Sequence, residues 1–350
     1  MRLQSKVSLF PWFVWAALLL AGMPRPAEAQ GKGDASTSAN ASIVVNEAKL
    51  EFRTGNKEAA LYEFGPNLFK PYFWPLETSN GRRLTRAWPM LKDGPDVSRD
   101  HPHQKSGWFC HGDVIPVGME LKRKVKGVEG IDFWSESANA GRIVCTRVGE
   151  AHNEGNRARI TTHNEWRTAD GEKVLDETRT IQFFDHQSAR LFVVDIDLHA
   201  SAVPIVFGDT KEGAFGVRVA DSIREDKPGK GVITNAEGKT GERQCWGRIS
   251  SWCDYSGPVQ GDTVGIAIFA SPDNPIPSCW HARAYGLMAA NPFGRAKSGF
   301  PDMKDKKDEK DLVHLDKGEH LKMRYALFLH LGDAKEGKVS EHYEMFKKLK

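Results

Sequence analysis

The sequence predicts an all-β protein, a large antiparallel β sandwich that ends in a short helix. From residue 43 onward, short strand-like runs are separated by turn residues about every ten positions, which is typical of sandwiches and barrels. Residues 191–199 and 320–331 alternate apolar and polar side chains, and this period of two indicates strands with one buried face. The chain has no βαβ alternation, no repeat of roughly 20 to 50 residues and no nucleotide-binding glycine loop.

The strands differ in how their faces are used. Residues 191–199 place aliphatic side chains on one face and Asp195, Asp197 and His199 on the other, for which solvent exposure is the expected role. Residues 264–270 form a continuous apolar run, which suits a strand in the middle of a sheet.

One helix is predicted at the end of the chain, over residues 339–349. Tyr343, Phe346 and Leu349 follow at three-residue steps and would lie on one face, and Ser340 is the predicted N-cap.

Residues 1–29 have the three parts of a secretory signal. Arg2 and Lys6 supply the positive start, residues 10–22 are apolar but short for a bilayer span, and residues 27–29 (Ala-Glu-Ala) fit a cleavage site. The alternative is an uncleaved N-terminal anchor.

Cleavage would leave Gln30 as the new N-terminus. Residues 30–42 are small and polar and are expected to form a disordered tether. Residues 43–350 are then a single β-sandwich domain. We expect a periplasmic or secreted protein with no membrane partner after cleavage, since no later stretch is apolar enough to span a bilayer.

The charge and cysteine content exclude several classes of protein. A formal net charge of +3 with scattered basic residues argues against a nucleic-acid partner. The five cysteines show no zinc-finger spacing, and a domain of this size needs no disulfide framework. Buried free thiols are the default expectation, and a bond between Cys245 and Cys253 is the alternative.

Histidines are concentrated in residues 99–113. His101, His103 and His111 lie within this segment, and Pro102 predicts an extended backbone that turns His101 and His103 to the same side. Two such imidazoles can bind a metal, or one can act as acid or base while the other orients a substrate hydroxyl. The alternative without a site is a loop whose histidines satisfy local backbone groups.

A second unusual segment covers residues 278–294. His281, Arg283 and Tyr285 are two apart and would share a face of an extended strand, next to Trp280. An aromatic platform beside polar donors suits a sugar ring, and a buried polar network is the alternative.

A third, weaker segment covers residues 208–219. Asp209, Lys211 and Glu212 lie at a predicted turn that leads into a strand carrying Arg218. Such neighbouring opposite charges usually form a surface ion pair. If the turn closes over a pocket, Glu212 is instead a candidate general acid or base.

Four ordered motifs resemble one protein family. PLETSNGRRLTRAWP, DHPHQKSGWFCHGD, FGDTKEGAFGVRVAD and WHARAYGLMAANPFG are similar to a bacterial family of unknown function labelled "methane oxygenase PmoA", from about Lys70 to Gly332. Members commonly have a second histidine where this chain has Gln104. The resemblance implies a β sandwich similar to those of sugar mutarotases and related carbohydrate-active proteins.

These observations lead to the hypothesis of an exported carbohydrate-active enzyme that uses histidine acid–base chemistry on a glycoside or modified sugar. The catalytic candidates are His101, His103, His111, His281 and Glu212. The substrate-binding candidates are Lys105, Trp108, Arg218, Trp280, Arg283, Tyr285 and Asn291. Among them, Trp108 and Trp280 are expected to stack on the sugar.

The expected ligand is a small molecule or oligosaccharide, and no cofactor or metal is expected. Epimerase, lyase and hydrolase chemistry all remain open. The alternatives are a non-catalytic sugar-binding module and the metal-dependent oxidoreductase that the family label suggests.

Overall fold

The computed structural model describes residues 40–186, 188–296, 299–306, 310 and 312–350. The predicted signal, residues 1–29, and most of the predicted tether lie outside the described residues. The first strand begins at Ala41, which pairs with Thr54, while Ser42 pairs with Arg53. The last residues assigned to the tether therefore belong to a strand, and the predicted start of the domain at residue 43 is slightly late.

The described residues form two large sheets and a small one, and every strand pairing in them is antiparallel. The first large sheet has the order β1 (Ala41–Val45), β2 (Lys49–Thr54), β3 (Lys57–Glu63), β4 (Tyr72–Leu76), β5 (Gly107–His111), β13 (Gly213–Arg218), β18 (Leu287–Asn291), β17 (Cys279–Arg283).

The second large sheet has the order β14 (Val232–Asn235), β15 (Trp252–Val259), β16 (Asp262–Ala270), β20 (His320–Leu331), β11 (Ala189–His199), β10 (Lys173–His186), β9 (Arg157–Arg167), β7 (Arg142–Val148), with β8 (His152–Glu154) paired to β9. The small sheet joins β19 (Val313–Leu315), β12 (Ile205–Phe207) and β6 (Val114–Pro116). The helices are α1 (Glu242–Cys245) and α2 (Val339–Phe346), with a 3₁₀ helix at Pro301–Lys306.

The two large sheets pack face to face through aromatic side chains. Phe52 of β2 contacts Phe192 of β11 with ring centroids 5.3 Å apart, and Phe215 of β13 stacks on Tyr325 of β20 at 5.2 Å. The core therefore lies between the sheets, and the predicted all-β sandwich is confirmed.

The predicted strands are present, with one informative difference. Residues 264–270 lie in β16, between β15 and β20, as expected of a central strand. β20 buries alternate residues as predicted, but Ala326 and Phe328 on its other face are buried as well. Phe269 of β16 contacts Tyr343 and Phe346, so α2 covers the outer face of this sheet.

The terminal helix is shorter than predicted and begins differently. It spans Val339–Phe346, and its N-cap is Lys338 in a left-handed conformation (φ 52°), with no side-chain cap bond. The prediction of Ser340 as N-cap is wrong because the chain enters the helix one residue before it. Neither helix in the described part of the chain is long and apolar enough to cross a membrane.

An ion pair is buried inside the sandwich. Arg179 donates from Nε to Glu177 at 2.5 Å and from a terminal nitrogen to the hydroxyl of Tyr62 at 2.7 Å. Glu177 also accepts a hydrogen bond from the indole of Trp166 at 2.7 Å. Because Tyr62 belongs to the first sheet and Arg179 to the second, this network ties the two sheets together.

Candidate functional site

Sheet order brings the two histidine segments together. β5, which lies within the first segment, is separated from β17, which carries His281, by only β13 and β18. Strands that are distant in sequence become neighbours in the sheet, so side chains at one end of this sheet converge.

A continuous row of ring contacts joins the segments. The His101 ring stacks on Tyr285 at 5.1 Å and lies 5.7 Å from the His103 ring. Trp134 is 6.4 Å from both His103 and His281. The His103 and His281 rings are therefore at most twice that distance apart, within the roughly 15 Å of a single small-ligand site.

His101 and Asp100 form a dyad at the open end of this row. Nδ1 of His101 lies 2.6 Å from a carboxylate oxygen of Asp100. A carboxylate only accepts, so Nδ1 carries the proton, and in the neutral ring Nε2 then holds a free lone pair. The side chains are 42 % and 41 % exposed, which leaves the imidazole accessible to a substrate.

Two buried arginines hold Asp100 in place. A terminal nitrogen of Arg218 donates to both carboxylate oxygens at 2.8 and 3.1 Å, and Arg86 donates to one of them at 2.8 Å. Partial burial opposes ionisation, but the charge of Arg218 and hydrogen bonds from His101 and Arg218 lower the pKa of Asp100 to about 2. Asp100 is therefore ionised at neutral pH and fixes the orientation of the imidazole.

The backbone at His101 is strained. Its φ is 47°, in the left-handed region that non-glycine residues rarely adopt. The turn is closed by a bond from the Gln104 N–H to the His101 carbonyl, which also accepts a hydrogen bond from Arg86. The predicted extended backbone around Pro102 is therefore wrong, because these contacts hold a turn. Such strain in a well-anchored residue is a common feature of functional sites.

The other histidines of the row are neutral at physiological pH. Burial, followed by the charge of Lys70, lowers the pKa of His103 to about 3. Burial also lowers the pKa of His281 to about 3, although a hydrogen bond to the Lys211 carbonyl at 2.8 Å opposes the shift. His281 is only 2 % exposed, so it supports the Lys211 turn and does not meet a substrate.

Glu212 supplies a second titratable group near the dyad. Burial raises its pKa, which the neighbouring Lys211 partly offsets, and Asp132 and His101 are within electrostatic range. A carboxyl with a raised pKa can act as a general acid.

Basic side chains border the same face. Lys105 donates to Glu136 at 2.7 Å, and Arg283 pairs with Glu242 at 2.9 Å. Each remains partly exposed.

Two predicted stacking residues are inaccessible. Trp108 is 1 % exposed, and Trp280 is fully buried with its indole nitrogen donating to the Ser250 carbonyl at 3.0 Å. Trp280 lies on the inward face of β17, in the core between the sheets. Trp108 lies on the outer face of β5 and is covered by Trp134, whose ring centroid is 5.3 Å away. The prediction that they form a sugar platform is therefore wrong.

Three further candidates have structural roles. His111 is fully buried and bonds through Nε2 to the Gly208 carbonyl at 2.8 Å, and burial lowers its pKa to about 4. Asn291 is buried, and its side-chain amide donates a hydrogen bond to the Thr210 carbonyl and accepts one from the Phe293 N–H. Neither side chain meets solvent. Arg218 is likewise fully buried and acts through Asp100.

Tyr285 reaches the site by a different route from the one predicted. β17 ends at Arg283, and Tyr285 lies in the turn that follows, where Gly286 has a φ of 104°. The predicted common face of one strand is therefore wrong for this residue. The turn folds Tyr285 against His101. The guanidinium carbon of Arg218 lies 4.6 Å from the centroid of the Tyr285 ring.

Sequence reasoning missed several side chains that complete the site. Trp134 lies between His103 and His281, and Trp246 of the segment after α1 contacts His281 at 5.0 Å. Neither tryptophan lies in a recognisable pattern. Arg86 was part of a motif quoted above, but nothing in the sequence placed it beneath Asp100.

One cleft of the protein lies apart from the site. A cleft of about 400 Å³ on the second sheet is lined by Thr180, Asp195 and Lys322 among others and contains none of the candidates. Its Asp195 is paired with Arg324 at 3.4 Å, as expected of a solvated face. Within the described residues, no three histidine, cysteine, aspartate or glutamate side chains are arranged to hold a metal ion.

Sequence comparison gives one family. The model of a family of unknown function (DUF6807) matches residues 49–344. This agrees with the predicted resemblance to a family of unknown function, and the family description makes no mention of methane oxygenation. A search of curated proteins gives no match.

Comparison with solved structures gives distant similarities. Galactose 1-epimerase of Lactobacillus acidophilus is 9% identical, with a TM-score of 0.37 and coverage of 84% of this chain and 100% of the epimerase. An α-galactosidase of Lactobacillus brevis is 9% identical with a TM-score of 0.37, covering 83% of this chain and 39% of the enzyme. An α-galactosidase of Geobacillus stearothermophilus is 10% identical with a TM-score of 0.38, and the match covers 83% of this chain and 41% of the enzyme. The chain thus spans about two fifths of the length of these galactosidases.

Proposed function

The chain belongs to the family of unknown function DUF6807, and we propose that it is a carbohydrate-active enzyme in which the Asp100–His101 dyad transfers a proton. The observation that carries the proposal is the 2.6 Å bond from His101 to a carboxylate that two buried arginines hold in place. An oriented, partly exposed imidazole is the usual form of a general base.

The proposed chemistry needs a base and an acid. Nε2 of His101 accepts a proton from a substrate hydroxyl or from a carbon next to a carbonyl, and Asp100 stabilises the imidazolium that forms. Glu212, whose pKa burial raises, returns a proton at a second position. This pairing suits an epimerase or a lyase, and hydrolysis is possible with water as the nucleophile.

A sugar is the proposed substrate class. The rim offers both hydrogen-bond donors and acceptors to sugar hydroxyls. Lys105 and Arg283 can donate, and the phenol of Tyr285 can donate and accept. The family resemblance implies a β sandwich similar to those of sugar mutarotases, and this favours the same class. A sugar-binding module would instead need an exposed aromatic platform, and Trp108 and Trp280 are buried.

Conversion of sugars in D₂O tests the proposal. The full chain is incubated with aldoses, keto-sugars and oligosaccharides, and proton NMR follows product formation or exchange of carbon-bound hydrogen. We expect one class to be converted without added metal. Binding without conversion of any sugar would favour the binding module, and conversion only after copper or iron is added would favour the oxidoreductase.

Export is part of the proposal. Residues 1–29 carry the pattern of a cleavable signal, so the protein would act in the periplasm or outside the cell. Sequencing the N-terminus of the protein from those fractions tests this, with Gln30 expected and an intact Met1 in the membrane fraction contradicting it.

A further inference from the structure

Two buried cysteines meet beside the site. Cys245 ends α1, and Cys253 lies in β15, and both side chains are fully buried. The side chains hydrogen-bond to each other. Cys253 lies opposite Asn235 in the sheet, and the Lys239 carbonyl accepts both the Asn235 N–H at 3.0 Å and the Cys245 thiol at 3.4 Å.

The short helix α1 also forms the rim of the site. Glu242 accepts a hydrogen bond from the Ala284 N–H at 2.6 Å and pairs with Arg283. Trp246, directly after Cys245, packs on His281. With only four residues and no side-chain N-cap bond, α1 has little stability of its own.

We propose that Cys245 and Cys253 form a reversible disulfide, a redox clasp that fastens α1 to β15 and so fixes the rim of the site. The inference goes beyond the proposed function and does not depend on it. Both thiols lie beside the turn of Asn235 and Lys239, so movement of the side chains would bring the sulfurs to the ~2.05 Å of a disulfide.

The chemistry balances with a small-molecule disulfide as oxidant. The Cys245 thiolate attacks one sulfur of the oxidant, breaks its S–S bond and expels one thiolate. The Cys253 sulfur then attacks Cys245 in the mixed disulfide and expels the second thiolate. The two protons of the protein thiols pass to the two expelled thiolates, so two protein thiols are oxidised and one small disulfide is reduced.

The direction of attack follows from the hydrogen bond between the thiols. A bond donated by Cys253 lowers the pKa of the Cys245 thiol, although burial opposes the shift, and it favours the Cys245 thiolate. Burial, followed by the same bond, raises the pKa of the Cys253 thiol. Transient opening of α1 gives the oxidant access.

The test compares the full-length chain in oxidised and reduced glutathione. Proteolysis and mass spectrometry without reductant should find the peptide of Cys245 linked to that of Cys253. The melting temperature should rise on the order of 5 °C on oxidation and return with dithiothreitol. Hydrogen exchange of residues 242–249 should slow by at least about tenfold, while exchange in β20 stays unchanged.

Variants make the test specific. Cys245→Ser and Cys253→Ser should each abolish the link and the rise in melting temperature, whereas Cys145→Ser, on the partly exposed Cys145 of β7, should retain both. The clasp is excluded if oxidised wild-type protein contains no such linked peptide, or if the link forms and lowers the melting temperature. None of these measurements uses turnover, so their failure is distinct from failure of the proposed function.

Discussion

Replacing His101 with glutamine is expected to lower kcat by about 10²–10⁴-fold on any sugar that the enzyme converts. Glutamine keeps a polar group of similar reach but cannot accept and return a proton at neutral pH. KM should change by less than about tenfold, because Lys105, Arg283 and Tyr285 still border the face. Steady-state kinetics on wild type and His101→Gln measure both values.

His320→Gln is the matched control for this substitution. His320 is also paired through Nδ1 with an aspartate, Asp197 at 2.8 Å, and is 46 % exposed, but it lies on the other sheet. This variant should retain wild-type kcat within about twofold. Equal activity of His101→Gln and wild type would remove the dyad from the mechanism.

Replacing Arg179 with methionine is expected to lower the free energy of unfolding by about 3–5 kcal/mol. The change leaves the buried carboxylate of Glu177 without its cation and the Tyr62 hydroxyl without its donor, at the centre of the sandwich. Urea denaturation followed by circular dichroism measures the loss.

Lys173→Met provides the comparison. Lys173 pairs with Asp176 at 3.0 Å on the same strand, but both side chains are more than a third exposed, so the loss should stay below about 1 kcal/mol. Adding Glu177→Gln to Arg179→Met should recover part of the stability, because the unpaired charge is removed. Equal losses for Arg179→Met and Lys173→Met would show that the buried network does not hold the sheets together.

Much of the fold could be predicted from local patterns. Alternation in β11 and β20 reports one buried face, because successive side chains of a strand point to opposite sides. The burial of Phe328 could not be predicted, since it depends on α2 folding back over the sheet. The pairing of Arg179 with Glu177 and Tyr62 also joins residues far apart in the chain.

The site could be predicted only in part, because local patterns do not show which residues meet in the fold. Clusters of histidine and aromatic residues marked two segments whose rings lie close together in the structure, but composition does not tell which side of a strand faces the core. Trp280 and His111 therefore proved to be interior residues. The role of His101 depends on a strained turn and on Arg86 and Arg218 beneath it, which no local pattern encodes.

The central claim is that Asp100 holds His101 with a proton on Nδ1 and a free lone pair on Nε2. Nitrogen-15 NMR of selectively labelled histidine at pH 8 tests it directly, with the His101 signals assigned by their loss in His101→Gln. The account predicts a protonated, pyrrole-type nitrogen at Nδ1 and an unprotonated, pyridine-type nitrogen at Nε2, with the preference lost in Asp100→Asn. A His101 ring that is protonated at Nε2, or that averages between both forms in the wild-type protein, would contradict it.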